Sequence, residues 1–473
     1  MKRRTFIQQA SILGAAGVLS SKFSLANSGQ RFPVVRVPAA ERRFSSPAIE
    51  NAIAEFTDNV PNKELAWLFN NCFPNTLDTT VFPEEIDGKP YTYVITGDID
   101  AMWLRDSCAQ VWPYLPFMAE DPELKRLIAG LVNKQSQCIN IDPYANAFYN
   151  DPEHKGEWFT DHTDMRPGIH ERKWEIDSLC YTVRLAYAYW KKTNDTAPFD
   201  EEWIKAQANI YKTFVEQQRK DGLGPYRFER TTARGSDTLQ VDGWGYPVNP
   251  VGLICSSFRP SDDATIFSFL IPSNLFAVVS LRQSAEMLAN IANEQTLATQ
   301  MLDLADEVEK AINEYGVVDH PMHGRVYAYE VDGFGSYMMM DDANIPSLLS
   351  LPYLGAVHVD DPIYQRTRAL VWSPSNPFFF KGSAAEGIGG PHIGRDMIWP
   401  MAITMKGLTS RDDNEIKACI ASLQATHGDT GFMHESFHKD DPRNFTRSWF
   451  AWANTLFGEF LWKTYKEKPY LLR

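Results

Sequence analysis

Helical periodicity recurs in pairs along almost the whole 473-residue chain, with long polar loops after alternate helices, and this pairing constrains the fold more than any single motif. Leu65, Leu68, Phe69 and Cys72 fall at i, i+3, i+4 and i+7, the spacing of one core-facing stripe. Such patterns predict two helices within 47–73 and further ones at 101–115, 122–139, 174–193, 200–219, 263–290, 295–314, 341–350, 360–372, 396–407, 413–426 and 444–465. That is about twelve helices. β-prone runs are short: 79–82 and 91–95 flank Asp87-Gly88 and predict a hairpin, and Val326-Tyr327-Ala328-Tyr329 predicts a second β segment. Helices in successive hairpins must bury two faces each. A double ring does so, with inner helices lining a core and outer helices packed around them, and it gathers the inter-helix loops at one end. An open solenoid would answer the same pattern with a concave groove. The expected class is all-α with small β-hairpin insertions.

The loops at 140–173 and 221–261 carry Tyr149, Trp158, His162, Trp244 and Tyr246, too many aromatics for disordered segments. A net charge of −14 argues against nucleic acid and anionic membranes as partners. Aromatic residues make up 13% of the chain, many beside Gly, Asp, Asn and Arg, which suits neutral, hydroxyl-rich ligands. Residues 1–26 have the order of an export leader. Arg3-Arg4 followed by Phe6 resembles a twin-arginine pattern, an apolar stretch 12–19 follows, and Ser24-Leu25-Ala26 offers small residues for cleavage. No other run is long enough for a membrane span. The expected product is a periplasmic or extracellular protein with one catalytic domain over 46–472. The six cysteines have no C-x-x-C pair or zinc-finger spacing and read as buried thiols.

Three runs carry chemistry. In the first, Asp98 and Asp100 precede Trp103, Arg105 and Asp106, an aromatic platform beside groups that hydrogen-bond several hydroxyls at once. In the second, Arg259-Pro260-Ser261-Asp262-Asp263-Ala264 reads as a helix start bearing adjacent acids, and a helix N-terminus there would favour the ionised carboxylate. In the third, Met433-His434-Glu435-Ser436-Phe437-His438 contains H-E-x-x-H, a zinc-peptidase motif when it lies on a helix, with Glu459 downstream as a third ligand. Gly431 before it and Pro442 after it leave little room for that helix. His392, Arg395 and Asp396, ahead of Trp399, repeat the Arg-Asp-aromatic theme.

Taken together, these motifs resemble glycoside hydrolase family 125, the exo-α-1,6-mannosidases, over about 46–472. The resemblance implies an (α/α)6 toroid, hydrolysis with inversion, no metal or other cofactor, and a mannose-containing glycan as partner. It places the general acid in the Asp262-Asp263 pair, with Asp262 favoured, and the general base at Glu435. Asp98, Asp100, Trp103, Arg105, Asp106, Arg259, Asp263, His392, Arg395, Asp396 and His434 are the expected sugar contacts. The W-x-R-D-S run is also similar to one in glucoamylase-type enzymes, where the Arg-Asp pair holds the terminal sugar's outer hydroxyls. An exported sugar-binding protein without catalysis, or a zinc metallopeptidase, is the alternative.

Overall fold

Thirteen α-helices run through the described residues, 32–473, of this computed structural model: α1 (Pro47–Asn59), α2 (Lys63–Cys72), α3 (Asn75–Thr79), α4 (Leu104–Val111), α5 (Pro122–Ile141), α6 (Ile176–Thr193), α7 (Glu201–Gln217), α8 (Ile271–Met287), α9 (Gln295–Tyr315), α10 (Pro362–Val371), α11 (Pro400–Leu408), α12 (Asp413–Ala425) and α13 (Ala451–Glu467). The leader expected at 1–26 lies outside the described residues. Residues 35–473 form one compact unit.

Eleven of the helices divide into two kinds by how they start, the short α3 and the uncapped, one-stripe α9 standing apart. α1, α2, α5, α7, α10 and α12 each begin behind Ser46, Asn62, Asp121, Asp200, Asp361 or Asp412, whose side chain accepts backbone N–H groups of the first turn. Most of these helices bury a single stripe, as an outer layer does. α4, α6, α8, α11 and α13 begin behind Trp103, Glu175, Leu270, Trp399 and Phe450 with no side-chain cap, and are buried over most of their surface. These are the inner helices. α4 packs on α6, α6 on α8, α11 on α13 and α13 back on α4, so the inner helices follow one another in a series from α8 to α11. This is the expected (α/α)6 toroid.

One inner position is not a helix. The pattern at 341–350 predicts one, yet 341–356 is a series of turns wedged between α6 and α13. Tyr181 donates to the Ile345 carbonyl (3.1 Å), Arg184 to that of Tyr353 (3.1 Å), and the Tyr353 hydroxyl to Glu459 (2.8 Å). Pro346 and Pro352 withhold two amide donors, and Asp341 takes the N–H groups of Leu348 and Leu349, so side chains replace the helical ladder.

The β-structure is confined to small antiparallel sheets. The predicted hairpin is Val81–Ile86 paired with Lys89–Val94, turned by Asp87 and Gly88, both at positive φ. The first helices pack against the last of the described helices. Phe56, Phe69 and Phe73 of the first helices stack at 4.0 and 4.7 Å, and Phe69 stacks on Trp462 of α13 at 6.0 Å. Each such pair contributes about 0.5–1.5 kcal/mol beyond its buried area. Asp98 N–H donates to the Trp449 carbonyl (3.2 Å) and Ala451 N–H to that of Thr96 (3.0 Å). Gly97, at φ +135°, lies between these bonds, and a Cβ there would overlap the Trp449 carbonyl.

Candidate active site

The uncapped ends of α4 and α6 are brought together by a three-stranded sheet of Met102–Trp103, Ala147–Phe148 and Ile169–Glu171. Arg105, in the first turn of α4, is 3% exposed and is surrounded by acids. Its Nη1 donates to Glu175 (2.6 Å) and Asp177 (3.2 Å), its Nη2 to Asp262 Oδ1 (3.3 Å), and its Nε lies 3.4 Å from Asp106. Asn146 Nδ2 lies 3.4 Å from both Glu175 Oε1 and Asp262 Oδ1. Burial raises the Asp106 carboxyl above its usual range although Arg105 opposes it. Trp103 meets the edge of His170 at 4.9 Å.

Asp262 and Asp263 do not start a helix; α8 begins only at Ile271. Asp262 N–H donates to the Arg259 carbonyl (2.9 Å) and Arg259 N–H to that of Asp263 (2.8 Å), closing a three-residue loop. Asp262 takes its left-handed position, φ 64°, which Asp tolerates better than most residues. Pro and Asp serve turn and helix start equally well, and the ladder bonds here select the turn. Asp262 therefore heads no helix of its own segment. The adjacent carboxyls have separate partners: Asp262 faces Arg105 and is 24% exposed, whereas Asp263 is buried with Oδ1 3.4 Å from His392 Nδ1. Burial works to raise Asp263, but hydrogen bonding and charge from His392, with Ser236 and Arg259, outweigh it and hold this carboxyl below its usual range. His392 is raised in turn. Burial opposes its charge, and Asp263, Glu435 and Asp262 together overcome that.

Glu435 stands just before the strand Ser436–His438, which pairs with Met397–Ile398 ahead of α11 and with Asp441–Thr446. Arg447, past that last strand at φ 44°, reaches across with Nη1 3.7 Å from Glu435, Nε 2.8 Å from Asp98 and Nη2 3.1 Å from Thr96 Oγ1. Buried indole N–H groups of Trp103, Trp399 and Trp449, and the Oδ2 atoms of Asp106 and Asp263, make no hydrogen bond among the described residues.

Several expected sugar contacts are committed elsewhere. Arg259 is buried with Nε donating to Glu330 (2.6 Å), so it braces the acid turn from behind. Asp396 accepts from Lys439 Nζ (2.7 Å) and its carbonyl from Lys439 N–H (2.8 Å). Arg395 is exposed and forms no ion pair among the described residues. Asp100 is exposed, with its charge felt by Tyr93 and Tyr149. His434 is buried, stacked on Phe445 at 3.7 Å, with Nε2 3.0 Å from Thr430 Oγ1.

The zinc-peptidase alternative fails on this geometry. H-E-x-x-H runs from a loop into a strand, Glu459 is bonded to Tyr353 on α13, and no group of three metal-ligating side chains occurs among the described residues. Burial pushes the His434 imidazole down to about 4. Between that value and roughly 6.5 the unfolded chain binds a proton that the folded chain refuses, so stability falls as pH drops through this window. His170, also held at about 4 by burial, adds to the loss. The thermal midpoint is therefore expected to fall from pH 6.5 to 4. His434→Phe, which keeps the stack on Phe445, is expected to recover about 1–3 kcal/mol of that loss.

A sequence model of glycoside hydrolase family 125, described as metal-independent alpha-mannosidase, matches residues 62–462. The chain belongs to family 125. It is similar to a solved family 125 structure, a metal-independent alpha-mannosidase of Streptococcus pneumoniae in a non-productive complex with α-1,6-mannobiose, with 43% identity and a TM-score of 0.87 over 90% of this chain and 100% of that one. It is 41% identical over 461 residues to the meiotically up-regulated gene 157 protein of Schizosaccharomyces pombe, covering 94% of this chain and 90% of that protein. A bacterial glucoamylase complexed with acarbose shares the fold at 10% identity and a TM-score of 0.53, covering 88% of this chain and 59% of that one.

Sequence reasoning missed four members of this family 125 site. Glu175 and Asp177 fell inside the helix predicted over 174–193, and Asn146 inside the loop at 140–173. Arg447 fell inside a pattern read as helical over 444–465, whereas the helix begins at Ala451. The signal was present in Arg447-Ser448-Trp449, a charged and aromatic run like that at Trp103-Leu104-Arg105.

Proposed function

We propose that this protein is an exo-acting, inverting α-mannosidase that removes single α-1,6-linked mannose units from the non-reducing ends of glycans, with Asp262 as general acid and Glu435 as general base. The observation that carries this reading is the separation of the two adjacent acids, Asp263 lying 3.4 Å from His392 while Asp262 lies 3.3 Å from Arg105 and stays partly exposed. Asp263 is engaged by that histidine, which leaves Asp262 and Glu435 as the available pair. They come from segments far apart in the sequence, the turn after Arg259 and the loop before the strand Ser436–His438, and inversion asks for two such carboxyls spaced widely enough to admit a water. Asp262 protonates the departing glycosidic oxygen, Glu435 takes a proton from water, and the oxygen of that water bonds to the anomeric carbon from the opposite face. The orphaned indole N–H groups and carboxylate oxygens suit the hydroxyls of one terminal sugar. The likeness to the pneumococcal enzyme held with α-1,6-mannobiose supports the linkage, and the leader at 1–26 supports action outside the cytoplasm.

Incubation with α-1,6-mannobiose, followed by NMR from the first minutes, is expected to show β-mannose before mutarotation. Initial α-mannose would overturn inversion. Binding without any hydrolysis would return the protein to the class of sugar binders.

A further inference from the structure

Arg105 is shared by four carboxyl groups: Glu175 at 2.6 Å, Asp177 at 3.2 Å, Asp262 at 3.3 Å and Asp106 at 3.4 Å. Glu175, Asp177 and Asp106 are all buried, and one guanidinium cannot neutralise four such charges in the interior. Lys173 does not make up the difference. Its Nζ donates to the backbone carbonyl of Asp262 (2.8 Å) and to Asp237 (2.8 Å). Arg447 also acts on Asp106, but among the described residues Arg105 is the one cation in ion-pair contact with Glu175, Asp177 and Asp262, so the cluster favours holding a proton. Glu175 is fully enclosed and cannot touch a sugar, yet it shares both Arg105 and Asn146 Nδ2, which lies 3.4 Å from each carboxyl, with Asp262, the one member of the four with a substantial exposed surface.

We propose that Glu175 is a positioning residue that shares a single proton with Asp262, so that the acid is presented to the glycosidic oxygen in its protonated form. The proposal rests on the assignment of Asp262 as general acid. The groups that face Glu175 favour this arrangement. Arg105 on α4 and the Ser178 hydroxyl (2.8 Å) hold its Oε2, Asn146 approaches its Oε1, and Asp177 on its own helix, Asp262 on the acid turn and Tyr226 beyond α7 are the remaining titratable neighbours. Burial, with Asp262 and Asp177 adding to it against Arg105, raises Glu175 well above the usual carboxyl range. Burial among like charges thus favours the protonated form of this carboxyl over the ionised one.

The step balances without any other reactant. The bond from the anomeric carbon to the leaving oxygen breaks and that oxygen takes the proton from Asp262. The incoming water bonds to the anomeric carbon and yields its proton to Glu435. After product leaves, Glu435 releases one proton to solvent and the Glu175–Asp262 pair recovers one. With glutamine at 175, an amide N–H donates to Asp262 and favours its ionised form, so the acid is lost at lower pH.

The test uses the full-length enzyme with two substrates, α-1,6-mannobiose, whose poor leaving group needs protonation, and a dinitrophenyl α-mannoside, whose leaving group does not. For Glu175→Gln the basic limb of the kcat/KM profile on mannobiose is expected to move down by about one pH unit or more. The loss on mannobiose at neutral pH is expected to exceed the loss on the dinitrophenyl substrate at least about tenfold. Glu175→Asp, which keeps a carboxyl, is expected to restore much of the limb and the turnover, and it stands in should the glutamine variant not fold. Equal losses on both substrates with an unmoved limb, no loss at all, or an aspartate variant no better than glutamine would each overturn the proposal. Asp262→Asn is the control for its premise. Mannobiose turnover surviving in that variant would strike the assignment of the acid itself, an outcome distinct from any result at position 175.

Discussion

Replacing Glu435 with glutamine is expected to lower kcat on α-1,6-mannobiose by about 10²–10⁴-fold, the usual contribution of a positioned base. KM is expected to change little, because the side chain acts on water and not on the resting sugar. Glutamine keeps the shape and the contact with Arg447, which lies 3.7 Å away, so the fold and the Asp98 bridge should be undisturbed. Added azide offers a sharper check: a small anion that takes the place of water needs no deprotonation, and it is expected to restore turnover of an activated mannoside in the variant. Turnover within about tenfold of the parent would remove Glu435 from the role of base.

The second large effect is expected at Arg105. By analogy with glucoamylase-type enzymes, the Arg-Asp pair would grip the terminal sugar, and an alanine variant would then show mainly weakened binding. The structure gives a different expectation, since three of the four carboxyls around this guanidinium are buried and two of its nitrogens are already engaged. Arg105→Ala would leave Glu175, Asp177 and Asp106 without their cation, which costs about 3–5 kcal/mol when one partner of a buried pair is removed. The thermal midpoint should drop by several degrees, and turnover should fall with it because Asp262 loses its anchor. Arg105→Lys separates the two losses. A lysine retains the charge but not the planar fork, so it is expected to recover much of the stability while leaving turnover strongly depressed. Normal stability in the alanine variant would show that the acids are neutral without Arg105.

How much of this was visible in the sequence depends on the range of the interaction concerned. Periodic stripes such as Leu65, Leu68, Phe69 and Cys72 report local geometry, and the helices they predict are present. Pro and Asp are ambiguous at short range. Pro260 to Asp263 reads as a helix start, but the backbone bonds between Arg259 and Asp263 make it a turn. The stretch 341–350 reads as helical because its apolar spacing is right, while Asp341 caps amides that a helix would have used. The acid and base were reachable only through the family resemblance, since nothing local marks Asp262 apart from Asp263. Their difference comes from His392 on a distant loop. Glu175 was invisible for the same reason: its partners, Arg105, Asn146 and Asp262, come from three segments that meet only when the inner helices are side by side.

The bonds on either side of Gly97 tie Thr96 and Asp98 to Trp449 and Ala451, near opposite ends of the chain. A nascent chain emerging from the ribosome can therefore form its early hairpins but not its catalytic centre. Glu435 and Arg447 are made late, and α13, which packs on α2, α3 and α4, follows them. Sugar-cleaving capacity thus arrives all at once, only after these segments have emerged, and a chain cut short before Trp449 has no partial activity to display.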